Sequence, residues 1–140
     1  MDYFTSESAV RERFHLPDAD SIPDSLIALS IGDAHRTILR FLEPGVDTEN
    51  PPHDVARGEA LLAGAHLFRA LAAREAFDQQ RRVMGRQRIE ESARFRSLRE
   101  TAATAEAEAW AVLAPFLGVG TRRTPAGVTD TKPVLGKEGR

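Results

Sequence analysis

Helical patterning runs through almost the whole chain and then stops at Leu117-Gly118. From Gly118 to Arg140 there are five glycines, two prolines and no apolar stripe at helical spacing. That segment is too poor in large apolar side chains to offset its own ordering entropy. The expectation is a helical body, residues 1–117, followed by an extended C-terminal arm, residues 118–140. A length of 140 residues with 41% hydrophobic residues suffices for one modest core. A helical body with an extended basic arm points to an assembly component rather than a self-contained enzyme.

Four helices account for the body, one short and three longer, so the fold class is all-α, a small bundle. Thr5 or Ser6 is a suitable N-cap and Glu7 suits the first turn of a short helix over about 6–14, which Pro17 is expected to stop. Pro23 opens the second helix, where Ile27, Ile31, Ala34, Ile38 and Leu42 recur at helical spacing until Pro44-Gly45. Leu26, Leu29 and Phe41 widen that stripe, and Gly32 within it suggests close approach of another helix. After a loop at 43–50, Asn50 is placed as the cap of a third helix that carries Val55, Leu62, Leu67 and Leu71 to about Phe77. Its many small residues, among them Ala60, Gly64 and Ala72, allow close packing. The polar stretch Gln79–Arg88 around Gly85 reads as a loop or break. A fourth helix of about 30 residues follows from Ile89 through Phe95, Ala102, Ala109 and Trp110, with Pro115 disturbing its last turn and Gly118 as its C-cap.

The net charge of −2 conceals a strong polarity. Residues 1–60 hold 12 acids and 5 Arg, a balance of −7, whereas residues 81–99 hold 7 Arg and 2 Glu, a balance of +5. The arm has 5 basic and 2 acidic residues, a balance of +3, and residues 100–117, with three Glu, stand at −3. Such polarity suits head-to-tail contact between copies or a partner of complementary charge. It is not the globally basic footprint of a dedicated nucleic-acid binder. No run approaches the roughly 18–20 apolar residues of a membrane span, and the acidic start Met1-Asp2-Tyr3-Phe4 lacks a signal-peptide pattern. No membrane partner and synthesis in the cytoplasm are therefore expected. The absence of cysteine excludes disulfides and thiolate metal sites.

Few residues suggest chemistry. His15, His35, His53 and His66 fall on different elements, so no metal and no cofactor are expected. Asp18, Asp20 and Asp24 read as capping and dipole partners at a helix start. No nucleophile elbow or phosphate-binding glycine loop occurs, and no catalytic residue is assigned. The sharpest local signal is the series Arg81, Arg82, Arg86, Arg88, Arg94, Arg96 and Arg99. It fits contact with phosphate, with DNA or with the acidic surface of another subunit. It equally fits a solvated helix face balanced by Glu90 and Glu91. In the arm, Val128, Asp130 and Lys132 alternate with Thr129 and Thr131 ahead of Pro133-Val134-Leu135, a pattern that can add as a strand to a partner's sheet edge.

The layout Phe4-Thr5-Ser6-Glu7, Val10-Arg11-Glu12-Arg13, Leu16-Pro17-Asp18 and Ile22-Pro23-Asp24-Ser25-Leu26-Ile27, with the Ile31–Leu42 stripe, resembles the head–tail connector (adaptor, head-completion) proteins of long-tailed bacteriophages. Ala60, Leu61 and Leu67 to Leu71 extend the likeness to about residues 4–117, and residues 4–42 carry most of it. The resemblance implies a structural virion protein without enzymatic activity. It would form a ring, usually of twelve subunits, at the neck between the portal protein and a tail-side stopper or tail-terminator protein, with DNA passing through. It also implies an arm that clasps the portal, which on this chain corresponds to Arg122, Arg123 and Val128 to Leu135. The density of arginine at 81–99 departs from the family pattern. The alternative is a helical DNA-binding packaging or regulatory protein that uses that segment.

Overall fold

The computed structural model describes residues 2–81 and 85–118, with side chains described for 2–77 and 93–118. The arm residues Arg122, Arg123 and Val128 to Leu135 lie outside the described residues, as do Arg82 and the side chains of Arg81, Arg86 and Arg88. Four helices form the body: α1 (Glu7–Phe14), α2 (Asp24–Phe41), α3 (His53–Arg81) and α4 (Gly85–Leu113). No strand occurs among the described residues, so the fold is an all-α bundle.

Ser6 is the cap that starts α1: its backbone is extended and its Oγ accepts from the Ala9 N–H at 3.2 Å. The helix ends before Pro17 acts, because His15 turns left-handed at φ 51° and Leu16 N–H closes back onto the Arg11 carbonyl at 3.0 Å. Arg11 then fastens the following turn. Its guanidinium donates to the carbonyls of Pro17 (2.7 Å) and Ile22 (2.6 Å) and to Asp24 Oδ1 (2.7 Å). Asp18 Oδ1 accepts from Ser21 N–H at 3.3 Å, so Asp18 and Asp24 serve the turn and the helix start, as their positions suggest.

Pro23 leads into α2, and Ile27, Ile31, Ala34 and Ile38 are all at most 2% exposed. The widened stripe divides, with Leu26 and Phe41 half-buried and Leu29 60% exposed. Gly32 receives no second helix. The nearest atom to a Cβ there would be the Tyr3 hydroxyl at 3.4 Å, from the N-terminal segment. Asn50 does not cap α3, because the helix begins at His53 and Asn50 belongs to the preceding turn, where its N–H and that of Glu49 bond to Asp47 Oδ1. Pro52 immediately precedes the helix, and its backbone carbonyl accepts from Val55 N–H at 3.0 Å.

Within 79–88, read as a loop or break, α3 runs on to Arg81 and a separate helix, α4, begins at Gly85, so helix reaches further into the stretch than expected. At its other end α4 stops at Leu113, and Pro115 sits in a short 3₁₀ turn, Ala114–Phe116. Gly118 is not a helix cap. Its N–H bonds to the Phe41 carbonyl at 3.1 Å, and Glu43 N–H bonds to the Phe116 carbonyl at 2.9 Å. These two bonds tie the end of the body to the end of α2, with Leu42 opposite Leu117.

α3 is the centre of the bundle: α1 and α2 pack on it, and α4 lies antiparallel to it, with Gly58 facing Leu113 and Glu75 facing Arg94. The core is aliphatic, closed at one end by Trp110, whose ring meets Phe41 edge-on at 6.0 Å. Phe14 packs on Phe68 at 5.2 Å and lies so close over Gly64 that a Cβ there would stand 2.2 Å from its ring. Gly64→Ala is therefore expected to cost about 1 kcal/mol, since half-buried Phe14 can swing aside. Urea unfolding of Gly64→Ala, Phe14→Leu and the double variant checks this, with the double less destabilised than the sum.

At 29 residues each, α3 and α4 outrun the 18-residue α2, a difference of about 16 Å at the usual helical rise. Among the described residues, Ala72 is the last buried one on α3 and Ala102 the first on α4. Beyond these the described parts of the hairpin project from the body as a two-helix spur, which carries Arg81, Arg86, Arg88, Arg94, Arg96 and Arg99 of the arginine series.

Candidate functional site

Glu59 stands on the face of α3 that carries Val55 and Leu62, so an acid is drawn into the core by its apolar neighbours on the helix. It is 0% exposed, and His35, on the α2 face beside Ile31 and Ile38, is 4% exposed. Glu59 Oε1 lies 2.7 Å from His35 Nδ1, while Oε2 accepts from the backbone N–H of Phe4 (2.7 Å) and of Thr5 (3.0 Å). Tyr3 and Phe4 cover the imidazole, their ring centroids 5.2 and 4.7 Å from it. Every acceptor of the carboxyl group is thus engaged, and the N-terminal segment is latched to the α2–α3 seam.

Burial pushes the Glu59 carboxyl above its usual range, and the hydrogen bonds from His35, Thr5 and Phe4 pull it part of the way back. A proton on the Oε1–Nδ1 line satisfies both partners in either form, as Glu–OH to imidazole or carboxylate to imidazolium. The pair is spent on holding residues 3–5, which makes it a structural latch. The sequence reading missed it. The available signal was a charged residue on the core stripe of α3 matched by a histidine on the core stripe of α2.

The other histidines do not assemble. His15 and His53 are exposed, and among the described residues no group of His, Asp and Glu could hold a metal ion. His66 Nε2 is buried without a hydrogen-bond partner among the described residues, and burial lowers the tendency of the ring to take a proton. Among the described residues no helix is long and apolar enough to cross a membrane.

The described part of the arginine series is partly engaged within the hairpin. Arg94 reaches across to Glu75 at 3.2 Å, and Arg99 lies over the Phe95 ring at 5.8 Å, a cation–π contact. Arg96 is exposed. Among the described residues the carboxylate facing Arg94 comes from the other helix of the hairpin, and the side chains of Glu90 and Glu91 lie outside the described residues.

Two grooves mark the ends of the long axis. On the spur, Ala73, Ala76, Phe77, Phe95, Arg99 and Ala103 line one of about 550 Å³. At the opposite end, Asp2, Tyr3, Leu39, Glu49 and Pro51 line one of about 530 Å³ beside the latch. Phe77 is 62% exposed, Leu39 44% and Tyr3 39%, three of the four large apolar side chains that stand out from the described surface. Compared with known proteins, the chain matches no family model, no curated protein and no solved structure.

Proposed function

We propose that this chain is an adaptor of the phage head–tail junction, a structural subunit that assembles into a ring between the portal and the tail. The observation that carries the reading is the layout of residues 4–42, the part most like the connector family. Its capped short helix, its Arg11-fastened turn and its Pro23-led helix form one continuous unit against α3. The opposed charges of residues 1–60 and 81–99 suit contact between neighbouring subunits. In this reading the ring surrounds the DNA passage, a stopper or terminator protein docks on the tail side, and the protein ends up in the neck of the virion. Weak contacts of single arms gain strength through the multivalency of the ring.

The arm, residues 118–140, is assigned to the portal. A chain lacking residues 121–140 is expected to keep the helical circular dichroism of the full chain and to lose capture by the portal in a pull-down. Undiminished capture refutes the arm assignment. Duplex DNA binding by the isolated protein at micromolar affinity and physiological salt, with a steep salt dependence, would favour the packaging or regulatory alternative instead.

A further inference from the structure

The spur and the opposite end of the body each carry exposed large apolar side chains, and the charged residues around them are of opposite sign. Phe77 projects from the spur as the most exposed large apolar side chain of the described residues, with exposed Arg74 on the same helix and exposed Arg96 on the facing one. At the other end, Tyr3, Leu39 and Pro51 form an apolar floor rimmed by Asp2 and Glu49. Asp47, also exposed, adds to the negative charge of that end. One end offers an exposed aromatic side chain with cations beside it, the other an apolar groove with anions at its rim, and they sit at opposite ends of the same molecule. Neither can satisfy the other within one copy.

We infer that the chain associates with itself head to tail, Phe77 on the spur of one copy entering the Tyr3–Leu39 recess of the next. The occupant is a second copy because the complementary surface is on the page and belongs to this chain. Such a contact is heterologous, so each copy keeps one free knob and one free recess, and growth ends only when a ring closes. The aromatic knob supplies desolvation and the charges set orientation and approach. The inference supplies a subunit contact for the adaptor reading but does not depend on it, since portal capture tests that reading and self-association tests this one.

Sedimentation velocity of the full chain, at rising concentration and at low and high salt, is the test. Wild type is expected to form species larger than a dimer, weakened by salt. Phe77→Glu and Leu39→Glu, both at exposed positions, are each expected to weaken association at least about tenfold. Mixed in equal amounts, the two variants should recover a dimer that grows no further, because each retains only one working surface. A wild-type chain that stays monomeric overturns the inference, as do variants that assemble like wild type or a mixture that shows no dimer. Association that survives both substitutions and is lost when residues 121–140 are removed also overturns it, making the arm the occupant.

Discussion

Glu59→Ala is expected to lower folding stability by about 3–5 kcal/mol, the usual cost of removing one partner from a buried polar pair. The substitution strands His35 Nδ1 and the N–H groups of Phe4 and Thr5 together, and it leaves a void at a position that is 0% exposed. Glu59→Gln should recover most of the loss, because its amide oxygen can accept from the Phe4 and Thr5 N–H groups while its NH₂ donates to His35 Nδ1. Urea unfolding monitored by circular dichroism reads both. The native state raises the pKa of Glu59, so it binds the proton more tightly than the unfolded chain does. The stability that this contributes is fully present below the ordinary carboxylate pKa and is lost as pH rises through the elevated folded value. Glu59→Gln should lack that decline, and an unchanged pH profile would place the titration elsewhere.

Gly58→Ala is the second large effect, expected at about 3 kcal/mol, the upper end of the usual overpacking cost. A Cβ at position 58 would stand 2.5 Å from Leu113 Cγ and 2.6 Å from Cδ2. Leu113 is 0% exposed and is followed directly by the 3₁₀ turn with Pro115, so neither its side chain nor its backbone has room to retreat. The helix-propensity gain of Ala over Gly, about 1 kcal/mol, offsets only part of this. That contrasts with Gly64, where the crowding ring is half-buried and can move. Thermal melts of Gly58→Ala with and without Leu113→Ala check the origin, because the alanine at 58 should cost far less once Leu113 is shortened. Equal cost in both backgrounds would rule out this contact as the cause.

The bundle was legible where burial wrote a period into the sequence. The Ile27, Ile31, Ala34, Ile38 stripe and the Ser6 start of α1 are of this kind, since one face of each helix meets the core. The stretch 79–88, read as a loop or break, does separate two helices, but helix reaches into it from both sides because it lies on the spur, away from the core. Helix there needs no stripe, and Gln and Arg are themselves good helix formers. Asn50 failed as a cap because α3 starts three residues later, at His53, and Asn50 is held in the turn closed by Asp47, a choice of helix start that composition does not decide. The latch was hidden for a different reason. Glu59 and His35 each look like an interruption of a helix face, and only the packing of α2 on α3 shows that they are partners. The exposed Phe77 likewise read as the last turn of a core helix, until the hairpin proved longer than the layer covering it.

The grip of Glu59 on the N-terminal segment has a consequence for what the sequence there is free to be. At position 5 the carboxylate reads an amide N–H that every amino acid except proline presents in the same way. The hold is therefore indifferent to side-chain chemistry at that residue, and Thr5 can exchange for a charged, bulky or small residue without surrendering its tether. Phe4 is bound twice, by its N–H and by its ring on His35, so its freedom is narrower. The segment thus pairs a fixed main-chain anchor with one half-buried, interchangeable position that lines the groove shared with Ser6, His53 and Arg57, and that groove can change its character without the bundle coming undone.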